Sequence, residues 1–226
     1  ITFFILICCL FLTSCFQKDY IIIEGSTIKE RIIVPDEFER VETVAGSFQH
    51  YLQNYPLKDY GRKIHYYNGK KKNRYTPGIL DMDVGERNLQ QCADCIMRLR
   101  AEYFFFNEEY DKIHFNLTNG FRVDYTKWIE GYRVQVEGND TYWIEKEEYS
   151  NLYKDFRKYL DLVYAYAGTY SLSKELTEVK KEDIQIGDIL IIPADIINNH
   201  IGHAMIIVDI AVNKETGEKI FILAQG

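Results

Sequence analysis

The 226-residue chain is short of three things, and each shortage removes a class of function. Basic residues are outnumbered, 27 against 34 acidic, for a net charge of −7. A nucleic-acid binder needs a basic face, so no nucleic-acid partner is expected. No apolar run approaches the roughly 20 residues of a membrane-spanning helix. Cysteine is scarce beyond residue 15, where only Cys92 and Cys95 remain, which excludes a disulfide scaffold. Internal repeats and low-complexity tracts are also missing, so a solenoid or a disordered tail is not the reading. What is present is a 46% hydrophobic chain with 27% charged residues, enough to bury a core of one α+β domain. Aromatics reach 15%, with 18 tyrosines, which suits either a dense core or a cleft for sugars and peptides.

The N-terminus carries a targeting pattern. Residues 1–14 are uncharged and almost wholly apolar, the pattern of a secretory signal's apolar region. No Met and no basic segment precede Ile1, so the start reads as clipped. Leu12-Thr13-Ser14-Cys15 resembles the bacterial lipobox, which implies that Cys15 is acylated and begins the mature protein. The expected organisation is a signal peptide at 1–14, a lipidated cysteine and tether at 15–27, and a single domain at 28–226. The last strand stops at Gly226, so a missing C-terminal piece is expected. Localisation follows as the cell envelope, with the membrane as a partner through Cys15.

Patterning within the domain predicts a strand at Glu30–Val34 closed by Pro35, and a helix at Phe48–Asn54 capped by Ser47 and ended by Pro56. Asn68-Gly69 predicts a type I′ hairpin between residues 63 and 72. Leu89, Cys92, Ala93, Ile96, Leu99 and Tyr103 recur at helical spacing and predict a helix over 89–106 with one buried face. Strands are expected at 112–117 and as a pair across 128–136 turning at Gly131. A second long helix is expected at 150–167 with Gly168 as its C-cap, then a short one near 172–179. Ile189–Ile192 and His203–Ala211 read as buried strands, and Asn213–Gly217 as the turn into a final strand at 219–225.

Two segments carry candidate chemistry. Cys92 lies near the start of the 89–106 helix, where the positive end of the helix dipole favours a thiolate. Taken by itself it reads first as a core residue, and otherwise as half of a Cys-x-x-Cys redox pair with Cys95 or a metal ligand lacking companions. The second segment runs from Ile184 through Gly187-Asp188 to Gly202-His203. A turn about Glu215 would set residue 211 opposite 219, and hence 205 opposite 225, placing Gln225 diagonally beside His203. The Gln225 amide could then fix the imidazole tautomer that takes a proton from sulfur. A one-residue slip would turn Gln225 away. Strand alternation also sets Asp209 on the His203 face as a second orienting group. Asp188, Gly202 and Asp209 are candidate substrate contacts. His200 and His203 with Asp195 or Asp209 lack a further ligand, so neither a metal nor another cofactor is expected. Arg98 and Glu102 read as a surface bridge. Arg100, nearer the apolar face, would pair inside or bind a carboxylate. Trp128 and Trp143 are candidates for a groove or for the core, and His50, His65 and His114 show no partner pattern.

The combination of Cys92 at a helix head, Ile186-Gly187-Asp188-Ile189 before a strand, His203 opening the next and Gln225 on the one after resembles the NlpC/P60 and CHAP branch of papain-like cysteine peptidases and amidases. It departs from them in flanking Cys92 with Gln91 and Ala93, and in a Cys-to-His spacing of 111 residues. A closer resemblance covers most of the domain. Leu89-Gln90-Gln91-Cys92-Ala93-Asp94, Trp128-Ile129-Glu130-Gly131, Tyr166-Ala167-Gly168-Thr169, Gly202-His203-Ala204 and Leu223-Ala224-Gln225 resemble the lipoprotein family called domain of unknown function 4846, found mainly in Bacteroides-like bacteria. That family supplies no reaction. The papain-like resemblance implies a Cys92 nucleophile, a His203 base, Gln225 as the orienting residue and a helix carrying Cys92 packed on a C-terminal antiparallel sheet. The expected function is a cysteine hydrolase of envelope peptide or amide bonds, with peptidoglycan among its substrates. The alternative is a non-catalytic surface lipoprotein binding a glycan or an envelope partner.

Overall fold

The structure, a computed structural model, describes residues 20–74, 76–195 and 197–226. The expected signal segment and Cys15 lie outside these residues. The chain is a mixture of helices and antiparallel strands, an α+β fold. Among the described residues no helix is long and apolar enough to cross a membrane.

The first departure from expectation is at the start. Residues 28–31 form a single helical turn, α1 (Ile28–Arg31), where a strand was expected. The reason is local: Thr27 accepts from the Glu30 amide at 3.3 Å, and Glu30 Oε2 accepts from the Thr27 amide at 3.2 Å. This reciprocal cap satisfies two orphan donors at once. Residues 20–27, the described part of the expected tether, contact the domain. Ile21 bridges Ile32, and the Ser26 carbonyl accepts from the Leu57 amide.

After β1 (Phe38–Arg40), helix α2 (Phe48–Gln53) starts at Ser47, whose side chain accepts from the His50 amide. The hairpin β2 (Ile64–His65) and β3 (Lys71–Lys72) turns through Tyr66–Gly69. Gly69 has positive φ and Asn68 does not, so the turn is type I with a glycine bulge rather than type I′. The long helix α3 (Cys92–Phe106) begins three residues later than its apolar periodicity suggested. Two small hairpins follow, β4 (His114–Asn116) with β5 (Arg122–Asp124), then β6 (Tyr132–Glu137) with β7 (Asp140–Glu145). Helix α4 (Tyr125–Ile129) sits between them and takes Trp128 out of the expected strand. Helix α5 (Tyr153–Tyr166) ends at Ala167, and Gly168 caps the next helix, α6 (Thr169–Glu175), instead of closing α5.

The C-terminal sheet is built on β9 (His203–Asn213). One edge pairs with β10 (Lys219–Ala224); the other pairs with β8 (Ile189–Ile192) near His203 and with β1 near Ala211. Pairing on both edges is what its apolar run required. Helix α3 is sandwiched rather than one-faced. Ala93, Met97, Ala101 and Phe105 join Phe156, Tyr159, Leu160 and Val163 of α5 in one core. Ile96 and Leu99 join Leu52 of α2 and Ala204, Ile206, Val208 and Ile210 of β9 in another. Burying each such aliphatic side chain contributes roughly 1.5–3 kcal/mol, which ties α3 to both layers.

Candidate active site

Cys92 is the first residue of α3 and is half-buried, with a free thiol. Its helix start is fixed from within: the Gln91 amide donates to Asp94 Oδ2 at 2.9 Å. Asp94 is buried, its Oδ1 has no hydrogen-bond partner, and burial pushes its carboxyl up to about 6. Cys95 also carries a free thiol, but burial pushes it up to about 11, which suppresses the thiolate that redox exchange needs.

His203 opens β9, and its Nε2 lies 2.7 Å from Gln225 Oε1. With the amide oxygen as acceptor, Nε2 carries the ring proton and Nδ1 carries the lone pair. The register behind this contact has two parts. Near the turn, Lys219 pairs with Val212, one residue away from the expected Ala211. A bulge then leaves Val208 unpaired between Asp209↔Ile222 and Ile207↔Leu223, which restores the alignment before the strand ends. Gln225 therefore comes to His203 by a slip and its compensation.

The end of β10 also rests on the start of α3. A Cβ added to Gly226 would lie 2.7 Å from Cys95 Sγ and 3.0 Å from the Gln91 carbonyl oxygen. Cys92, His203 and Gln225 thus gather at one end of the helix-on-sheet layer. Cys92 does not share a face with the other two. Ile189 and Ile206 line a cavity with Ile96 and Met97, so the row Ala204–Ile206 faces α3. Alternation turns the row His203–Met205 to the opposite side. Its cross-strand neighbours there, Leu190 and Ile192, are exposed, as is Leu223. A Cys92–His203 contact requires the imidazole to turn across the open end of β9.

The other candidate residues have structural occupations. Asp209 is fully buried and does not orient His203. Its carboxylate accepts from Arg40 Nε at 2.6 Å and from Gln53 Nε2 at 2.7 Å, and it stands six residues along β9 from His203, roughly 20 Å at the rise of a strand. Gly202 is a close-packing position. A Cβ there would lie 2.1 Å from Thr169 Oγ1 and 2.5 Å from the Ala194 amide nitrogen. Asp188 accepts from the Gln185 amide at 2.8 Å and closes the turn into β8, where Gly187 has φ of 97°. Asp195 holds its own loop by accepting from the Ile197 and Asn198 amides. Among the described residues no group of three or more His, Cys, Asp or Glu is placed to hold a metal ion.

Arg98 and Glu102 are buried rather than superficial. Arg98 Nε donates to Glu102 Oε1 at 2.7 Å, Nη2 donates to Asp83 Oδ1 at 2.7 Å, and Tyr153 donates to Glu102 Oε1 at 2.6 Å. This network fastens α3 to the 83–90 segment and to α5. Trp128 is core, its indole N–H donating to the Asp155 carbonyl. Arg100 was expected to pair inside or bind a carboxylate; the two polar residues that share its cavity were not signalled by any sequence pattern. His114 on β4, Glu175 at the end of α6 and Arg100 on α3 line a cavity of about 280 Å³ between α3, α6, β4 and β8. Only folding brings these three positions together.

No curated protein and no solved structure is similar enough to this chain to count as a match. The family model for the domain of unknown function 4846 matches residues 28–226, nearly the whole of the described chain, so the protein belongs to that family.

Proposed function

We propose that the protein is an exported, lipid-anchored cysteine hydrolase acting on peptide or amide bonds of the cell envelope, with a papain-like core in which α3 carries the nucleophile and β9–β10 the base. The observation that carries this reading is the His203–Gln225 hydrogen bond at the end of the sheet that abuts the first turn of α3. Nδ1 of His203 takes the thiol proton as Cys92 Sγ attacks the substrate carbonyl. The same proton passes to the leaving amine when the tetrahedral intermediate collapses to a thioester. Water, deprotonated by Nδ1, then attacks the thioester and releases the acid and the thiol. Backbone N–H groups at the head of α3 would receive the oxyanion, an interaction worth about 3 kcal/mol in the transition state. Acylation of Cys15 would hold the enzyme at the membrane, and Cys15→Ala is expected to release it from the membrane fraction.

The test is thiol-dependent hydrolysis of envelope peptides by the mature protein. Cys92→Ser and His203→Ala should abolish turnover while leaving urea unfolding unchanged. Turnover that survives Cys92→Ser refutes the assignment. So does a wild type without turnover whose Cys92→Ser variant loses about 1 kcal/mol or more of stability, the signature of a packing residue. A second reading, a non-catalytic surface lipoprotein binding a glycan or envelope partner, is favoured by the opposed faces of Cys92 and His203 and by the exposed Leu190, Ile192 and Leu223 on the His203 side of the sheet. On that reading, binding of envelope fragments is indifferent to Cys92→Ser.

A further inference from the structure

The cavity beside α3 takes no part in the proposed hydrolysis. Its walls are apolar, chiefly Ile96, Met97, Phe115, Leu172, Ile189 and Ile206. Three polar side chains reach it, each with unused capacity. Arg100 is exposed, and among the described residues its guanidinium makes no direct ion pair or hydrogen bond; it lies over the Phe104 ring at 4.7 Å, near enough to Glu175 for the two charges to act on each other. Glu175 accepts from the Asn116 amide through Oε1 at 2.8 Å, which leaves Oε2 free. His114 Nδ1 is buried without a partner. Buried polar atoms in native structures nearly always have one, and leaving one unmade costs about 1–3 kcal/mol.

One cation, one carboxylate and one imidazole acceptor around an apolar wall complement a small zwitterion with an apolar side chain. A volume of about 280 Å³ is just below the roughly 300–1,000 Å³ of sites for drug-sized ligands, so the ligand is smaller than those. We propose that this cavity binds a free apolar α-amino acid. Arg100 receives the carboxylate, Glu175 Oε2 and His114 Nδ1 receive the ammonium, and Ile96, Leu172 and Ile206 cover the side chain. This site is separate from Cys92 and does not depend on the hydrolase reading.

Calorimetric titration of the mature protein with L-leucine tests it. Three comparison ligands each lack one element: 4-methylpentanoate the ammonium, isoamylamine the carboxylate, and L-serine the apolar side chain. Leucine should bind, and each comparison ligand should bind about tenfold or more weakly, the scale of one lost charge-assisted hydrogen bond or one buried side chain. Arg100→Gln and Glu175→Gln should each weaken leucine by about tenfold at unchanged melting temperature, while Cys92→Ser leaves it unaltered. Glu175→Gln keeps the acceptor for Asn116, so a loss of binding there reports the charge and not the fold. Absence of leucine binding at about 10 mM, above the millimolar range of weak ligands, overturns the proposal. Equal binding of 4-methylpentanoate and leucine also overturns it, by making the site one for apolar carboxylates.

Discussion

Replacing Asp94 by Asn should stabilise the protein at neutral pH and do almost nothing at pH 4. Asp94 is buried in the first turn of α3, with one oxygen accepting from the Gln91 amide and the other unpartnered. Burial is the largest influence and raises its carboxyl from 3.8 to about 6. The native state therefore keeps this proton through a pH window in which the unfolded chain has released it. Stability contributed by the group falls as pH rises between about 4 and 6 and is constant above that. At about 1.4 kcal/mol for each tenfold change, the penalty at pH 7.5 is on the order of 3 kcal/mol. The asparagine side chain keeps an amide oxygen to accept from Gln91 and carries no charge. Urea unfolding at pH 4 and pH 7.5, followed by circular dichroism, isolates the effect, because every other titrating group is common to both proteins. The difference between variant and wild type should grow from near zero to roughly 2–3 kcal/mol in favour of the Asp94→Asn protein. The same difference at both pH values, or a less stable variant at pH 7.5, refutes the reasoning.

Gly202→Ala should cost about 2–3 kcal/mol in urea unfolding, because the new methyl group meets backbone atoms of Ile192 and Ala194 as well as Thr169 Oγ1. Thr169→Ala should not rescue it. Asp209→Ala leaves Arg40 and Gln53 facing a vacated buried site and should cost about 3 kcal/mol or more; a loss below about 1 kcal/mol would contradict that role. Thr27→Ala removes one half of the α1 cap and should cost about 1 kcal/mol, with no effect on any thiol reactivity.

Elements whose cause is local were readable from the sequence. The Ser47 cap, the apolar periodicity around Cys92–Phe106 and the double-sided apolar run of β9 each act within one turn or one strand. The misread elements had competing local signals. Ile32, Ile33 and Val34 suggest a strand, yet the Thr27–Glu30 exchange wins the preceding turn for a helix. Gly131 has the look of a hairpin tip but follows α4, with φ of 98° and the Glu147 carbonyl where a Cβ would stand. At the site, the His203–Gln225 pairing could be reached by counting from the turn, although the shifted register and the bulge at Val208 could not. The partners of Asp209 were out of reach, since Arg40 lies 169 residues away and Gln53 156. The burial of Arg98 and Glu102 was hidden for the same reason: their i,i+4 spacing is that of a surface bridge, and Asp83 and Tyr153 arrive from other elements.

The pH dependence of Cys92 alkylation by iodoacetamide tests the central claim most directly. It is best measured on mature protein carrying Cys95→Ser, beside the same protein with His203→Ala. A Cys92 that is alkylated faster than a free thiol, with its profile displaced when His203 is removed, is the result expected of a working Cys92–His203 pair. A Cys92 that reacts no faster than a free thiol, with a profile indifferent to His203, would mean that the two residues stay on opposite faces of β9 and that the protein is not a cysteine hydrolase of this design.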